Sequence, residues 1–200
     1  MGIKQNLLKQ FQKPSGILGM LVGRLMSIKN RDRSQWTVEK LNFKPTDYLL
    51  EIGYGSGTTF KKVAEKLTTG FIGGIDHSEI MLEQASNRNQ KYIDGKNAKL
   101  ECGTIWALKY SDNYFDVIYG SNVHFFWKNP AQEFEKLYSL LKPGGRMVMV
   151  FQPRWAKSEN QIKKIAEETK NQYEEAGLKN IEIDFKPMKP VTCIYIIGQK

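Results

Sequence analysis

Cysteine is almost missing from this chain. Cys102 and Cys193 are the only two among 200 residues, too few for a disulfide framework or a cysteine-built zinc site. No metal is expected. Blocks of like charge are also absent, so there is no acidic or basic tail to read as an interaction arm. No apolar segment approaches the roughly 20 residues needed to span a bilayer. There is no internal repeat and no low-complexity tract. A signal peptide is mimicked but not completed. Lys4, Lys9 and Lys13 precede an apolar stretch from Ile17 to Ile28, yet Arg24 breaks that stretch and no small-residue cleavage site follows. A cytoplasmic location is the expectation.

What is present describes an ordinary globular chain. Apolar residues make up 40% and charged residues 26%, enough for one domain with a full core. Thirty basic and 21 acidic side chains leave a formal charge of +9. That surplus keeps nucleic acid, anionic lipid and acidic small molecules open as partners. The lysines are spread along the chain, which reads as a solvated basic surface.

Residues 1–45 read as helical. Ile17, Leu18, Leu21, Val22, Leu25, Met26 and Ile28 recur at three-to-four spacing, and a second helix is predicted from about Asp32 to Leu41, ended by the approach to Pro45. Residues 46–200 then alternate strands with helices, as the core of a single domain. Strands are predicted at Tyr48–Ile52, Phe71–Ile75, Ala98–Cys102, Phe115–Tyr119 and Arg146–Phe151. Helices are predicted at Thr58–Leu67, Ser78 to about Tyr92, Pro130–Leu141 and Glu159–Ala176. Ile181–Phe185 and Thr192–Ile197 are separated only by a Lys-Pro-Met-Lys-Pro stretch and flanking residues. No crossover helix fits there, so this pair must be an antiparallel hairpin. The expected fold is α/β, a doubly wound sheet of seven strands with an antiparallel C-terminal hairpin and added N-terminal helices.

The sharpest motif is Glu51-Ile52-Gly53-Tyr54-Gly55-Ser56-Gly57, between the first strand and a helix. Glycines there let the backbone turn tightly and lie against a ligand. Asp76 ends the second strand, where a carboxylate can accept from two ribose hydroxyls. Any adenosine-bearing cofactor satisfies this much. Two details narrow it. The third glycine comes one residue earlier than in a dinucleotide loop. Glu51 would repel a pyrophosphate, yet it suits the ammonium of an amino-acid-bearing ligand. The pattern favours S-adenosylmethionine over NAD.

Leu49 to Val150 resembles the class I, Rossmann-like S-adenosylmethionine-dependent methyltransferases, in the small-molecule branch that includes quinone- and sterol-type methylases. Leu50 to Gly57 is similar to the family's first motif. Gly74-Ile75-Asp76-His77-Ser78-Glu79-Ile80-Met81-Leu82 is similar to its ribose-binding segment. Leu108 to Ile118 resembles its lead-in to the fourth strand, and Leu140 to Arg146 its turn into the fifth. The resemblance implies a seventh strand that runs antiparallel. It also implies S-adenosylmethionine as cofactor, with S-adenosylhomocysteine as product. Glu51, Gly53, Tyr54, Gly55, Gly57, Asp76, His77 and Met81 would contact that cofactor, with His77 on the ribose side and Met81 on the adenine. Where the family often has Gly-Asp-Ala, this chain has Gly103-Thr104-Ile105. The Thr104 hydroxyl would accept one hydrogen bond, and the Ile105 backbone would supply the rest.

The acceptor side is expected after the fourth strand, at Ser121-Asn122-Val123-His124-Phe125-Phe126-Trp127. Ser121 and Asn122 are counted with the cofactor site. The segment lacks the Asn-Pro-Pro-Tyr or Asp-Pro-Pro-Tyr pattern of exocyclic-amine methylation, and no Pro-Cys pair marks a pyrimidine C5 methylase. Both cysteines read as buried strand residues. His124 is the one candidate base, with pocket lining as its other reading. Phe125, Phe126 and Trp127 either enclose a flat or greasy acceptor or form core. Residues 1–45 are expected as a lid over the site, with flank packing and peripheral membrane contact as alternatives. The expected function is in-line methyl transfer to a small molecule. Methylation of RNA or protein, and non-catalytic S-adenosylmethionine binding by a regulatory protein, are the alternatives.

Overall fold

The computed structural model of the protein describes residues 31–200. Five α-helices and seven strands lie among them. The apolar stripe at residues 17–28 falls outside this range. The strands form one sheet in the order β3-β2-β1-β4-β5-β7-β6. β1 (Tyr48–Ile52) runs parallel to β4 (Phe115–Ser121), and β4 runs parallel to β5 (Leu141–Phe151). β7 (Cys193–Gln199) runs antiparallel to both β5 and β6 (Lys179–Lys186). This is the doubly wound sheet with a reversed strand that the sequence predicts. Strand order reverses between β1 and β4, and ligands of such sheets bind outside the carboxyl ends of the strands at that point.

By contacts the chain divides into two compact units. One takes residues up to Asp47 together with Gly53–Leu108. In it, β2 (Phe71–Asp76) pairs in parallel with β3 (Ala98–Cys102). Helix α1 (Arg31–Leu41) ends where Asn42 takes φ 42°, a left-handed stop one residue past the helix. α1 is fastened to α2 (Thr58–Ala64) by Thr59 Oγ1 donating to Ser34 Oγ at 2.9 Å and by Lys62 Nζ donating to Gln35 Oε1 at 2.7 Å. Trp36, Val38 and Leu41 are buried, so this stretch packs on the flank of α2. The predicted extension of α2 to Leu67 does not form. Thr68 and Gly70 instead donate their N–H groups to the Pro45 carbonyl, which pulls the chain out of the helix. α3 (Glu79–Asp94) opens on Ser78, whose hydroxyl accepts from the Met81 N–H.

The other unit takes Tyr48–Ile52 and Lys109–Lys200. β4 is buried along most of its length, as expected of a central strand covered on both faces. β5 starts five residues earlier than the predicted Arg146. Leu141 already pairs with Phe115, and the register then shifts before Val117 meets Arg146. Gly145 lies in that irregular stretch because a Cβ there would stand 2.8 Å from the Lys142 carbonyl oxygen. α4 (Pro130–Leu140) has proline in its first turn. α5 (Glu159–Glu175) is capped by Ser158 and followed by Gly177 at φ 95°. Phe134, Leu137, Phe151, Tyr173 and Ile196 fill the core of this unit.

Candidate cofactor and acceptor sites

The glycine loop leaves β1 and folds back on the end of β2. Gly53 donates its N–H to the Ile75 carbonyl at 2.7 Å, and Gly55 donates to Asp76 Oδ2 at 2.9 Å. Asp76 Oδ1 accepts the Ser78 N–H at 3.0 Å. The carboxylate is thus held from two sides by backbone donors. Burial raises its pKa, while the Gly55 and Ser78 hydrogen bonds and nearby His77 work to lower it. His77 Nδ1 lies 3.8 Å from Asp76 Oδ1, and its side chain is about half exposed.

Two glycines in this loop do different work. Gly57 has φ 73°, and a Cβ there would stand 2.7 Å from Asn89 Nδ2 and 2.8 Å from Ala85 Cβ. Its bareness lets α3 approach. Gly55 has φ 52°, but a Cβ there would meet nothing within 4 Å. The loop therefore presents an open backbone face beside a fixed carboxylate, which fits the ribose of an adenosine-bearing cofactor.

Sequence reading missed what secures this loop from behind. Arg88 Nη1 donates to the Ser56 carbonyl, to Ser56 Oγ and to Thr58 Oγ1. Asn89 Nδ2 donates to the Gly57 carbonyl at 3.3 Å and to the Ala85 carbonyl at 2.8 Å. Asn89 was detectable in principle, since asparagine is a poor choice inside a helix. Tyr54 turns away from the loop's open face. Its ring is buried 6.5 Å from that of Phe60, and its hydroxyl donates to the Glu101 carbonyl at 3.0 Å. Met81 is buried in the first turn of α3. Gly103 donates its N–H to the Asp76 carbonyl at 2.8 Å. Thr104 is exposed and leads into a 3-10 turn at Ile105–Ala107, in which Ile105 is buried. Cys102 corrects an expectation. It is exposed at the end of β3, although it pairs there with Asp76; Cys193 is buried, and the two form no disulfide.

In the other unit, Glu51 is buried on β1, and its Oε2 accepts the Tyr119 hydroxyl at 2.9 Å. Asn122 takes φ 55° just past β4. Its N–H donates to the Val150 carbonyl, and its Oδ1 accepts the Gln152 N–H at 2.8 Å, tying the ends of β4 and β5. Ser121 is the last residue of β4.

His124 begins a 3-10 turn among aromatic rings. Phe125 lies 4.1 Å and Phe151 4.5 Å from it, with Phe134 at 6.2 Å and Trp127 at 6.3 Å. It is buried, and neither ring nitrogen has a hydrogen-bond partner. Burial pushes its pKa down to about 3. In this setting the ring is neutral and a poor proton acceptor. The three following aromatics divide. Trp127 packs on Phe134 at 4.9 Å, and Phe125 packs on Phe151 and Trp155. Phe126 remains 54% exposed.

The fold agrees with relatives of known class. The methyltransferase domain family matches residues 49–145. An uncharacterized methyltransferase of Bacillus subtilis, YdaC, is 28% identical over 182 residues, covering 90% of this chain and 98% of that protein. The demethylmenaquinone methyltransferase of Symbiobacterium thermophilum is 30% identical over 56% of this chain and 45% of its own length. Phosphoethanolamine N-methyltransferase 1 of maize is 34% identical over 56% of this chain and 22% of its own length. The chain thus spans less than half of the last two relatives. Among solved structures, a SAM-dependent methyltransferase from Aquifex aeolicus superposes with a TM-score of 0.64 at 17% identity, covering 83% of this chain and 88% of that one. This likeness speaks for the fold. The domain match, the YdaC likeness along most of the chain and the fold together support a class I S-adenosylmethionine-dependent methyltransferase.

Proposed function

We propose that this methyltransferase transfers the methyl group in line to a small-molecule acceptor, without a protein base. The observation that carries the cofactor placement is the Gly55–Asp76 hydrogen bond at 2.9 Å, which fixes a carboxylate beside an open glycine backbone. Matches to demethylmenaquinone and phosphoethanolamine methylases support a small acceptor. In this reading Asp76 accepts from the ribose hydroxyls, and Gly53, Gly55 and Gly57 offer bare backbone. Met81 packs on the adenine, and Thr104 with the Ile105 backbone meets its edge beside Gly103. Glu51 faces the ammonium group. His77, Ser121, Asn122 and the Tyr54 backbone complete the contacts.

S-adenosylmethionine supplies an electrophilic methyl group whose thioether leaving group departs neutral. No acid is then required of the protein. Its residues need only hold the acceptor close to attack geometry and exclude water. A neutral, apolar-packed His124 suits that limited task. Residues 1–45 remain the proposed cover, although residues 31–41 pack on α2 and residues 1–30 lie outside the described range. Deleting residues 1–30 should then abolish turnover while leaving cofactor binding; full turnover by the truncated protein would end the lid reading. A cytoplasmic location goes with this function, and no helix among the described residues is long and apolar enough to cross a membrane.

The test is transfer from radiolabelled S-adenosylmethionine into fractionated cell extract. Label in a small-molecule fraction is the expected result. Label in RNA or protein would shift the reading to methylation of a macromolecule, for which the +9 charge leaves nucleic acid open, and cofactor binding with no label in any fraction would shift it to the non-catalytic alternative.

A further inference from the structure

We infer that Tyr119 is a positioning residue for cofactor recognition, acting through Glu51. The inference deepens the proposed cofactor placement and rests on it. Glu51 and Tyr119 are register partners on the parallel strands β1 and β4. Register puts both side chains on one face, and a slip of one residue would send them to opposite faces. The phenol lies 2.9 Å from Glu51 Oε2, with Glu51 2% exposed and Tyr119 fully buried. A carboxylate this deep is costly unless its oxygens are hydrogen-bonded.

The phenol is a dependable donor. Burial and the adjacent Glu51 charge raise its pKa well above the ordinary value, so it keeps its proton throughout the working range. A neutral donor on one carboxylate oxygen leaves the negative charge in place and fixes the rotation of the group. The ligand chemistry that uses a buried, oriented carboxylate is a cation, here the ammonium of an amino-acid-bearing adenosine. Tyr119 would therefore set how strongly the site prefers S-adenosylhomocysteine over an adenosine thioether without the amino acid.

Calorimetry on the full chain separates this role from simple packing. The ligands are S-adenosylhomocysteine and 5′-methylthioadenosine, which keeps the adenosine and sulfur but lacks the amino acid. The proteins are wild type, Tyr119→Phe, Glu51→Gln and the double variant, each shown to be folded by its urea transition. Tyr119→Phe should weaken S-adenosylhomocysteine by about tenfold and methylthioadenosine by less than about twofold. On a Glu51→Gln background the same change should add less than about twofold, because the two residues act as one unit. Equal loss for both ligands, no loss for either, or a full further tenfold on top of Glu51→Gln would overturn the inference. Should folded wild type bind neither ligand, the cofactor placement itself falls, and Tyr119 with it. If Tyr119→Phe does not fold, Tyr119→Met, which lacks the donor and adds no bulk at this buried position, takes its place, and the same comparison between the two ligands decides.

Discussion

The loop after β1 and the segment after β4 both lie at carboxyl ends of strands, yet they are built by different forces. The first is a lattice of backbone hydrogen bonds closed on one carboxylate: Gly53 to Ile75, Gly55 to Asp76, Ser78 to Asp76. The second is mostly ring against ring around a histidine with no polar partner. A lattice of directional bonds specifies one ligand chemistry and tolerates little change. An aromatic cluster specifies a volume and tolerates repacking. In the proposed reading, cofactor use and acceptor choice are divided along that line.

Substitution should expose the contrast most strongly at Gly57. A Cβ there meets Asn89 and Ala85 below 3 Å at a positive φ. Gly57→Ala should cost about 2–4 kcal/mol from overpacking and left-handed strain, read from the urea midpoint. Gly55→Ala, with open space beside it, should cost only about 1–2 kcal/mol while weakening S-adenosylhomocysteine. Similar stability losses for the two variants would remove the distinction drawn between a packed and an open glycine.

Next in size is Asp76. Replacement by Ala removes a charged acceptor, and affinity should fall at least about tenfold. The pH dependence is specific as well. Because burial raises this carboxyl's pKa, wild-type affinity should decline on acidification at a pH above the ordinary aspartate range of about 3.9. Asp76→Asn should lack that step in a calorimetric pH series. An identical pH profile in the two proteins would place the ribose elsewhere.

His124 should give a smaller effect, and one of opposite character. The unfolded chain binds a proton near pH 6.5 that the folded ring refuses until about pH 3. Stability should therefore fall as pH drops through that window, by up to about 1.4 kcal/mol per pH unit. His124→Phe should flatten this slope and keep turnover within about tenfold, since a general base contributes at least about a hundredfold. A folded variant with turnover down by that larger factor would restore the base. The smallest effect belongs to Cys102→Ser, an exposed position, which should change the urea midpoint by no more than about 0.5 kcal/mol.

Much of the molecule was legible because its signals are local. β1 and β3 were read to the residue, and Ser78 announced its helix. The glycine motif and Asp76 were legible because their backbone roles dictate residue type. What stayed hidden depends on partners far along the chain. Arg88 reaches back 32 residues to Ser56, and Tyr119 meets Glu51 across 68. Neither distance leaves a periodic trace. The early start of β5 was missed because Pro143-Gly144-Gly145 reads as a turn, while strand pairing begins before it. Cys102 was placed inside because unpaired cysteines usually are, but a residue ending β3 had no cover.

Helix α3 carries at its first turn the serine cap and Met81, and two turns later the Arg88 and Asn89 that grip the glycine loop. One helix thus joins the proposed adenine contact to the glycine loop proposed to lie against the ribose. In the proposed placement the adenine and the ribose would both rest on elements held by this one helix, so that each contact made by the ligand would share its anchorage with the other.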